Sequence, residues 1–294
     1  MARVLVTGAS GLLGGRLAQL LAASHDVVAM CHRAPVPVGL RDVAADILDA
    51  TSLERALHIS QADVVVHAAA EADADRCQAD PDRAQRYNVD ASVALARLCR
   101  RRSARLMALS TDLVVPGDRA MSAEDVAVGS PALVYGRTKL EAEDAILAEA
   151  PDAAVLRVAL VLGRGFGPRT TASEGIAAAL ATGQRLRLYT DQFRTPVDPE
   201  SVADVIDRLI ARPLPGRFHV AGPERLSRYE LGLRVARVLA LPTDAIDAVR
   251  QSDHAVGAPR PADTSLDTSR ARRELGWSPR PLDLAIGESR HPNV

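Results

Sequence analysis

The chain has 294 residues, 47 % of them apolar and 25 % charged, with a formal net charge of -1. That is ordinary globular composition, without the basic excess by which nucleic-acid and membrane-surface binders attract phosphate. No apolar run approaches the ~20 residues of a membrane helix, and Met-Ala-Arg leads straight into a strand pattern instead of a signal peptide. Three cysteines (Cys31, Cys77, Cys99) at unrelated spacings suggest neither a disulfide framework nor a zinc site. The expectation is a cytoplasmic protein with no metal, no nucleic acid and no membrane among its partners. Thirty-five of the 36 basic residues are arginine, and the one lysine is Lys139.

A β-branched run at 4–7 ends in Gly8-Ala9-Ser10-Gly11, after which Leu12, Leu13, Leu17, Leu20 and Leu21 recur at helical spacing. Strands are predicted at 27–31, 42–47 and 62–68. A helix begins near Thr51, with Thr51 or Ser52 as its cap. One long helix is predicted over 80–102, with Pro81 in its first turn, and another over 130–149, opened by Pro131. Strands are predicted at 106–110 and 154–162. Such alternation implies a parallel sheet covered on both faces. The expected fold is α/β: a doubly wound Rossmann domain over 1–162, to which 199–222 returns as helix 199–211 and strand 217–220. A smaller C-terminal α/β substrate lobe is expected from 163–198 and 223–294. It contains a glycine-rich loop (163–169), a helix (174–180), a strand (186–189) and helices at 227–239 and 269–275, the last ending at Gly276.

Gly8, Gly11 and Gly14 form G-x-x-G-x-x-G between the first strand and the first helix. That context brings backbone amides and a helix N-terminus to a dinucleotide pyrophosphate, with Ser10, Leu12 and Leu13 completing the turn. The second strand ends Cys31-His32-Arg33, without the acid that binds ribose hydroxyls in NAD sites. Arg33 suits a 2′-phosphate, which favours NADPH, with NADH possible. Asp46, beside Ile47, is either an adenine partner or a turn former. Tyr135 and Lys139 lie one turn apart on a helix. With four tyrosines in 294 residues, chance seldom places a lone lysine there. An ammonium lowers a neighbouring tyrosine pKa and can reach the nicotinamide ribose, so Tyr135 is the expected proton donor. Thr111, at a strand end, is the expected hydroxyl partner, with Ser110 as understudy. Asn88 either anchors a water or the lysine, or faces solvent. His67 reads as a satisfied core histidine.

These motifs resemble the extended short-chain dehydrogenase/reductases over nearly the whole length, and most closely the dTDP-4-dehydrorhamnose reductase branch. The resemblance is carried by residues 4–14, by Val65-Val66-His67-Ala68-Ala69-Ala70, by Ser110-Thr111-Asp112 and by Tyr135 falling 24 residues after Thr111. Asp191-Gln192 with Thr195-Pro196, and Pro259-Arg260-Pro261 with Ser265-Leu266-Asp267, are similar to the branch's substrate segments. The resemblance implies Ala68, Ala69 and Ala70 as cofactor contacts. It implies Ser110, Thr111, Asp112, Arg157, Gln192 and Arg260 as substrate contacts, with Arg260 on a diphosphate. It further implies NADPH-dependent reduction of the 4-keto group of a nucleotide-activated 6-deoxyhexose by Thr111, Tyr135 and Lys139; a homodimer is possible. Leu113-Val114-Val115 departs from the branch's Tyr-Val-Phe, and its Asn-Phe after the sixth strand is missing. The alternatives are an epimerase on the same fold, or a non-catalytic NADP-binding regulatory subunit like that of methionine adenosyltransferase. Dehydratases carry a carboxylate where this chain has Leu113.

Overall fold

In a computed structural model, which describes residues 1–125, 130–254, 257–258 and 260–289, seven parallel strands form the central sheet. They are β1 (Arg3–Thr7), β2 (Asp26–Cys31), β3 (Arg41–Ala44), β4 (Val64–His67), β5 (Arg105–Thr111), β6 (Ala154–Val158) and, after two short lobe strands, β9 (Gly216–Val220). Their order is β3-β2-β1-β4-β5-β6-β9. All are joined by crossover connections, because parallel neighbours cannot be linked by a tight turn. Helices α1 (Leu12–Leu21), α2 (Ala50–Ser60), α3 (Ala74–Ala79), α4 (Pro81–Gln85), α5 (Ala91–Arg101), α6 (Val134–Glu149) and α8 (Pro199–Ala211) cover the two faces. Alternate strand residues feed separate cores: Val4, Val6, Val64 and Val66 enter one, Leu5 and Val65 the other.

A second group of elements comprises α7 (Ala172–Ala181), β7 (Leu186–Tyr189), β8 (Phe193–Arg194), β10 (Leu226–Ser227), α9 (Arg228–Val238), β11 (Ile246–Val249) and α11 (Leu282–Gly287), while α10 (Ser269–Leu275) packs on the sheet domain. Two small sheets organise it, β7 with β11 and β8 with β10. Leu180, Leu188, Leu231, Val235 and Ile286 form its core. Leu266, Ala271, Leu275 and Trp277, expected in the lobe, instead pack in the main core with Val205 and Leu209. The Trp277 indole N–H donates to the Ser201 carbonyl of α8, which ties this segment to the sheet domain.

Several element boundaries differ from expectation, each for a local reason. Asp49, not Thr51 or Ser52, caps α2 by accepting from the Thr51 N–H. Helix α6 begins at Val134, since residues 130–133 are not helical. The long helix at 80–102 is three pieces, α4 and α5 separated by a π turn at Arg86–Asp90. A π turn inserts one residue into the helical ladder and rotates the helix beyond it. Among the described residues no helix is long and apolar enough to cross a membrane.

Candidate active site

The glycine turn comes directly after β1. Gly8 has φ +66°, where L side chains are strained, and a Cβ there would lie 2.7 Å from the Ala69 nitrogen. A Cβ on Gly14 would lie 2.4 Å from the Gly8 carbonyl oxygen. Both glycines therefore let α1 and the segment after β4 close on the turn. Gly11 caps α1 without a side-chain hydrogen bond, leaving the first-turn amides for an anion. A cleft of about 230 Å³ opens here, lined by Gly8, Ser10, Gly11, His32, Asp46, Ile47, Ala68, Ala69, Ala70 and Tyr87. Leu12 and Leu13 form the adjoining helical turn. Asp46 forms the turn, its carboxylate accepting from the Leu48 N–H, and it also lines the cleft, 3.9 Å from His32. Arg33 stands exposed just beyond β2. A glycine turn, open amides and a wall along the strand ends fit a dinucleotide.

Tyr135 and Lys139 project from α6 beside the end of β5. The tyrosine ring packs on Cys77, Ala84 and Val134. Burial pushes its hydroxyl above the ordinary phenol pKa; Thr111 beside it works the other way, and Asp112 adds to the rise. The expected depression by the lysine is not among the causes of this shift; removal from water dominates it. Burial pushes Lys139 down to about 8, against the pull of Glu143. Gly136 lets α6 approach this closely, as a Cβ would lie 2.2 Å from the Leu113 carbonyl oxygen. That oxygen belongs to a 3-10 turn (Asp112–Val114) whose N–H at Leu113 is held by Thr111 Oγ1, 3.2 Å away.

Asn88 is fully buried, not solvent-facing, and its partner is not the lysine. Its amide bridges the Glu71 backbone and the Thr138 hydroxyl, the residue before Lys139. The π turn is what brings Asn88 to this position. Ser92, one turn on, donates to the Asn88 carbonyl and meets His67 Nε2; His67 Nδ1 meets Thr7. His67 is thus a satisfied core histidine, held to about 3 by burial and by the Lys139 charge.

Two expected substrate contacts are absorbed elsewhere. The Ser110 hydroxyl donates to Glu143. Arg157, 1 % exposed, donates to both Glu143 oxygens at 3.0 Å and meets His219 Nε2 at 3.2 Å. Arg217 joins the same carboxylate. Burial works to raise the Glu143 carboxyl, but Arg157, Ser110 and Arg217 hold it below the usual range. Glu143 lies one turn beyond Lys139 on α6, and its charge also favours the Lys139 ammonium. Glu143 was missed although the sequence signalled it: 135, 139 and 143 share one helix face. Asp112 is buried between Thr111 and Thr264, 3.9 Å from Arg194. The Gln192 amide donates to Gln251. Arg260 pairs with Asp75; Pro259 of its motif lies outside the described residues.

A parallel sheet in this order, the glycine turn after its first strand and the tyrosine–lysine helix after its fifth define the extended short-chain dehydrogenase/reductase class. The chain belongs to the RmlD substrate binding domain family, whose model matches residues 2–291. It is 30% identical over 283 residues to the dTDP-4-dehydrorhamnose reductase of Mycolicibacterium smegmatis, covering 94% of this chain and 81% of that one. It is equally 30% identical over 301 residues to methionine adenosyltransferase 2 subunit beta of Rattus norvegicus, covering 99% and 87%. The solved structure of MoeE5 in complex with UDP-glucose and NAD superposes with a TM-score of 0.81 at 26% identity, covering 97% and 96%.

Proposed function

We propose that the protein is an NADPH-dependent reductase of the 4-keto group of a nucleotide-activated 6-deoxyhexose. The observation that supports this best is Tyr135, with Thr111 at the carboxyl end of β5 against it and Lys139 one turn away, in a sheet whose first strand ends at the glycine turn. The bound nicotinamide dinucleotide would supply hydride. Tyr135 stays protonated at neutral pH and hands its proton to the substrate oxygen; Thr111 orients that oxygen, and Lys139 holds a cation beside both and toward the ribose. Reductase relatives and the NAD-bound neighbour support the reaction class and cofactor type. The test is NADPH oxidation with dTDP-4-keto-6-deoxyglucose, with and without a 3,5-epimerase. Turnover only with the epimerase places the reaction on the L-configured keto-sugar. Turnover without it indicates another deoxysugar. NADPH binding without turnover of any keto-sugar nucleotide favours the second reading, a cofactor-binding subunit, which the similarity to methionine adenosyltransferase 2 subunit beta supports.

Two further results are expected. Arg33→Ala weakens NADPH about tenfold or more, the loss of a charge-assisted hydrogen bond of about 1.5–3 kcal/mol, with NADH little changed. Equal losses in titrations with both cofactors remove the 2′-phosphate role. Lys139 loses its ammonium as pH rises through about 8, so kcat/KM falls on that side of the profile. In Lys139→Arg the remaining activity keeps no such limb, since a guanidinium stays charged. A descending limb of the same midpoint in the variant sinks this assignment.

A further inference from the structure

Arg194, Arg225, Arg228 and Arg260 gather where the lobe faces the carboxyl edge of the sheet, and three of them are engaged. Arg194 donates to the carbonyls of Phe193 and Pro261 and stands near Asp112. Arg225 lies over the Phe193 ring and pairs with Asp263. Arg260 pairs with Asp75. The Arg228 guanidinium alone of the four has no hydrogen bond or ion pair among the described residues. Its place is fixed by backbone: β10 pairs antiparallel with β8, Ser227 opposite Phe193, and the Arg228 N–H donates to the Gln192 carbonyl at 2.9 Å. The side chain is partly buried, within electrostatic reach of Arg194 and Asp112.

Asp112 attracts this guanidinium but makes no hydrogen bond or ion pair with it. One carboxylate oxygen is taken by Thr111, and the other by Thr264 with Arg194 beyond. Burial, then repulsion from Arg194, pushes Arg228 down to about 10, so it remains a cation at neutral pH. A guanidinium drawn from water beside a second one, with no carboxylate bonded to it, costs free energy that an arriving anion relieves.

We propose that Arg228 is the anion-recognition residue of the substrate cleft, its planar fork taking two oxygens of the nucleoside-diphosphate part of the substrate. This rests on the reading of the substrate as nucleotide-linked and assigns to Arg228 the contact expected of Arg260. It is distinct from the cofactor's anion site, which lies at the glycine turn. A guanidinium matches adjacent phosphate oxygens bidentately, which an ammonium does not.

The test titrates dTDP and UDP into NADPH-saturated full-length protein by calorimetry, comparing wild type with Arg228→Met and Arg228→Lys. The Met variant keeps the backbone bond to Gln192 and so the β8–β10 pairing. It is expected to lose tenfold or more in nucleoside-diphosphate affinity, with NADPH affinity unchanged and part of the loss recovered by Lys. Wild-type affinity in Arg228→Met overturns the proposal while leaving the reductase reading intact. A parallel loss of NADPH affinity also overturns it, by showing a structural role. If wild type binds NADPH but neither dTDP nor UDP, the nucleotide-linked substrate falls, and the proposal with it.

Discussion

Replacing Tyr135 with phenylalanine is expected to lower turnover roughly 100- to 10,000-fold, the usual contribution of a positioned proton donor. The substitution removes one oxygen and leaves the ring, so the packing on Cys77, Ala84 and Val134 survives. NADPH affinity and thermal midpoint are expected to stay near wild type. The reason lies in the protonation state. Burial holds the hydroxyl above the ordinary phenol pKa, so near neutrality Tyr135 carries the proton that a carbonyl oxygen receives when hydride adds to its carbon. Thr111 favours the phenolate that results. Steady-state rates for both proteins, with cofactor binding measured separately, decide the matter. A variant that turns over at the wild-type rate leaves Tyr135 without the proposed role.

Arg157→Met is expected to cost about 3–5 kcal/mol of stability, because it leaves a buried carboxylate without its main partner. Arg157 supplies three contacts to Glu143, at 3.0, 3.0 and 2.7 Å, and both side chains are 1 % exposed. Ser110 and Arg217 remain after the substitution, but neither is a fully buried guanidinium. His219 also loses a donor. Its Nδ1 faces the Asp267 carbonyl, so Nε2 accepts from Arg157 and the ring is neutral. Urea unfolding of Arg157→Met, Glu143→Leu and the double variant measures the coupling. Replacing the whole pair by apolar groups is expected to cost less than removing the arginine alone. A double variant as unstable as the sum of the two singles shows that the pair does not act as a unit.

Much of the fold and part of the site were legible along the chain. The glycine turn, the strand–helix alternation and the Tyr135–Lys139 spacing are local patterns, set by backbone sterics and helix geometry, and each sits where the sequence puts it. Arg157 reads as a polar contact on a strand end because nothing local distinguishes a buried arginine from a cleft arginine. Its partner Glu143 lies 14 residues earlier and meets it only when α6 packs on β6. Asn88 could not be placed by helical periodicity, because the π turn breaks the period at that residue. Arg228 had no signal at all, since its setting comes from β8, earlier in the chain, and from Asp112 just after β5.

The sequence by itself determined the parallel α/β sheet, the dinucleotide turn and the helix that carries the tyrosine and lysine, because hydrophobic period and glycine spacing act over a few residues. Only the tertiary structure decided which charged groups are spent on one another and which are left for a ligand. Glu143 takes Arg157, Asp75 takes Arg260 and Asp263 takes Arg225, leaving Arg228 unpaired among the described residues. That division depends on desolvation and on distances between strands and loops far apart in the chain, and charges acquire their pKa values and partners only once water has been excluded around them.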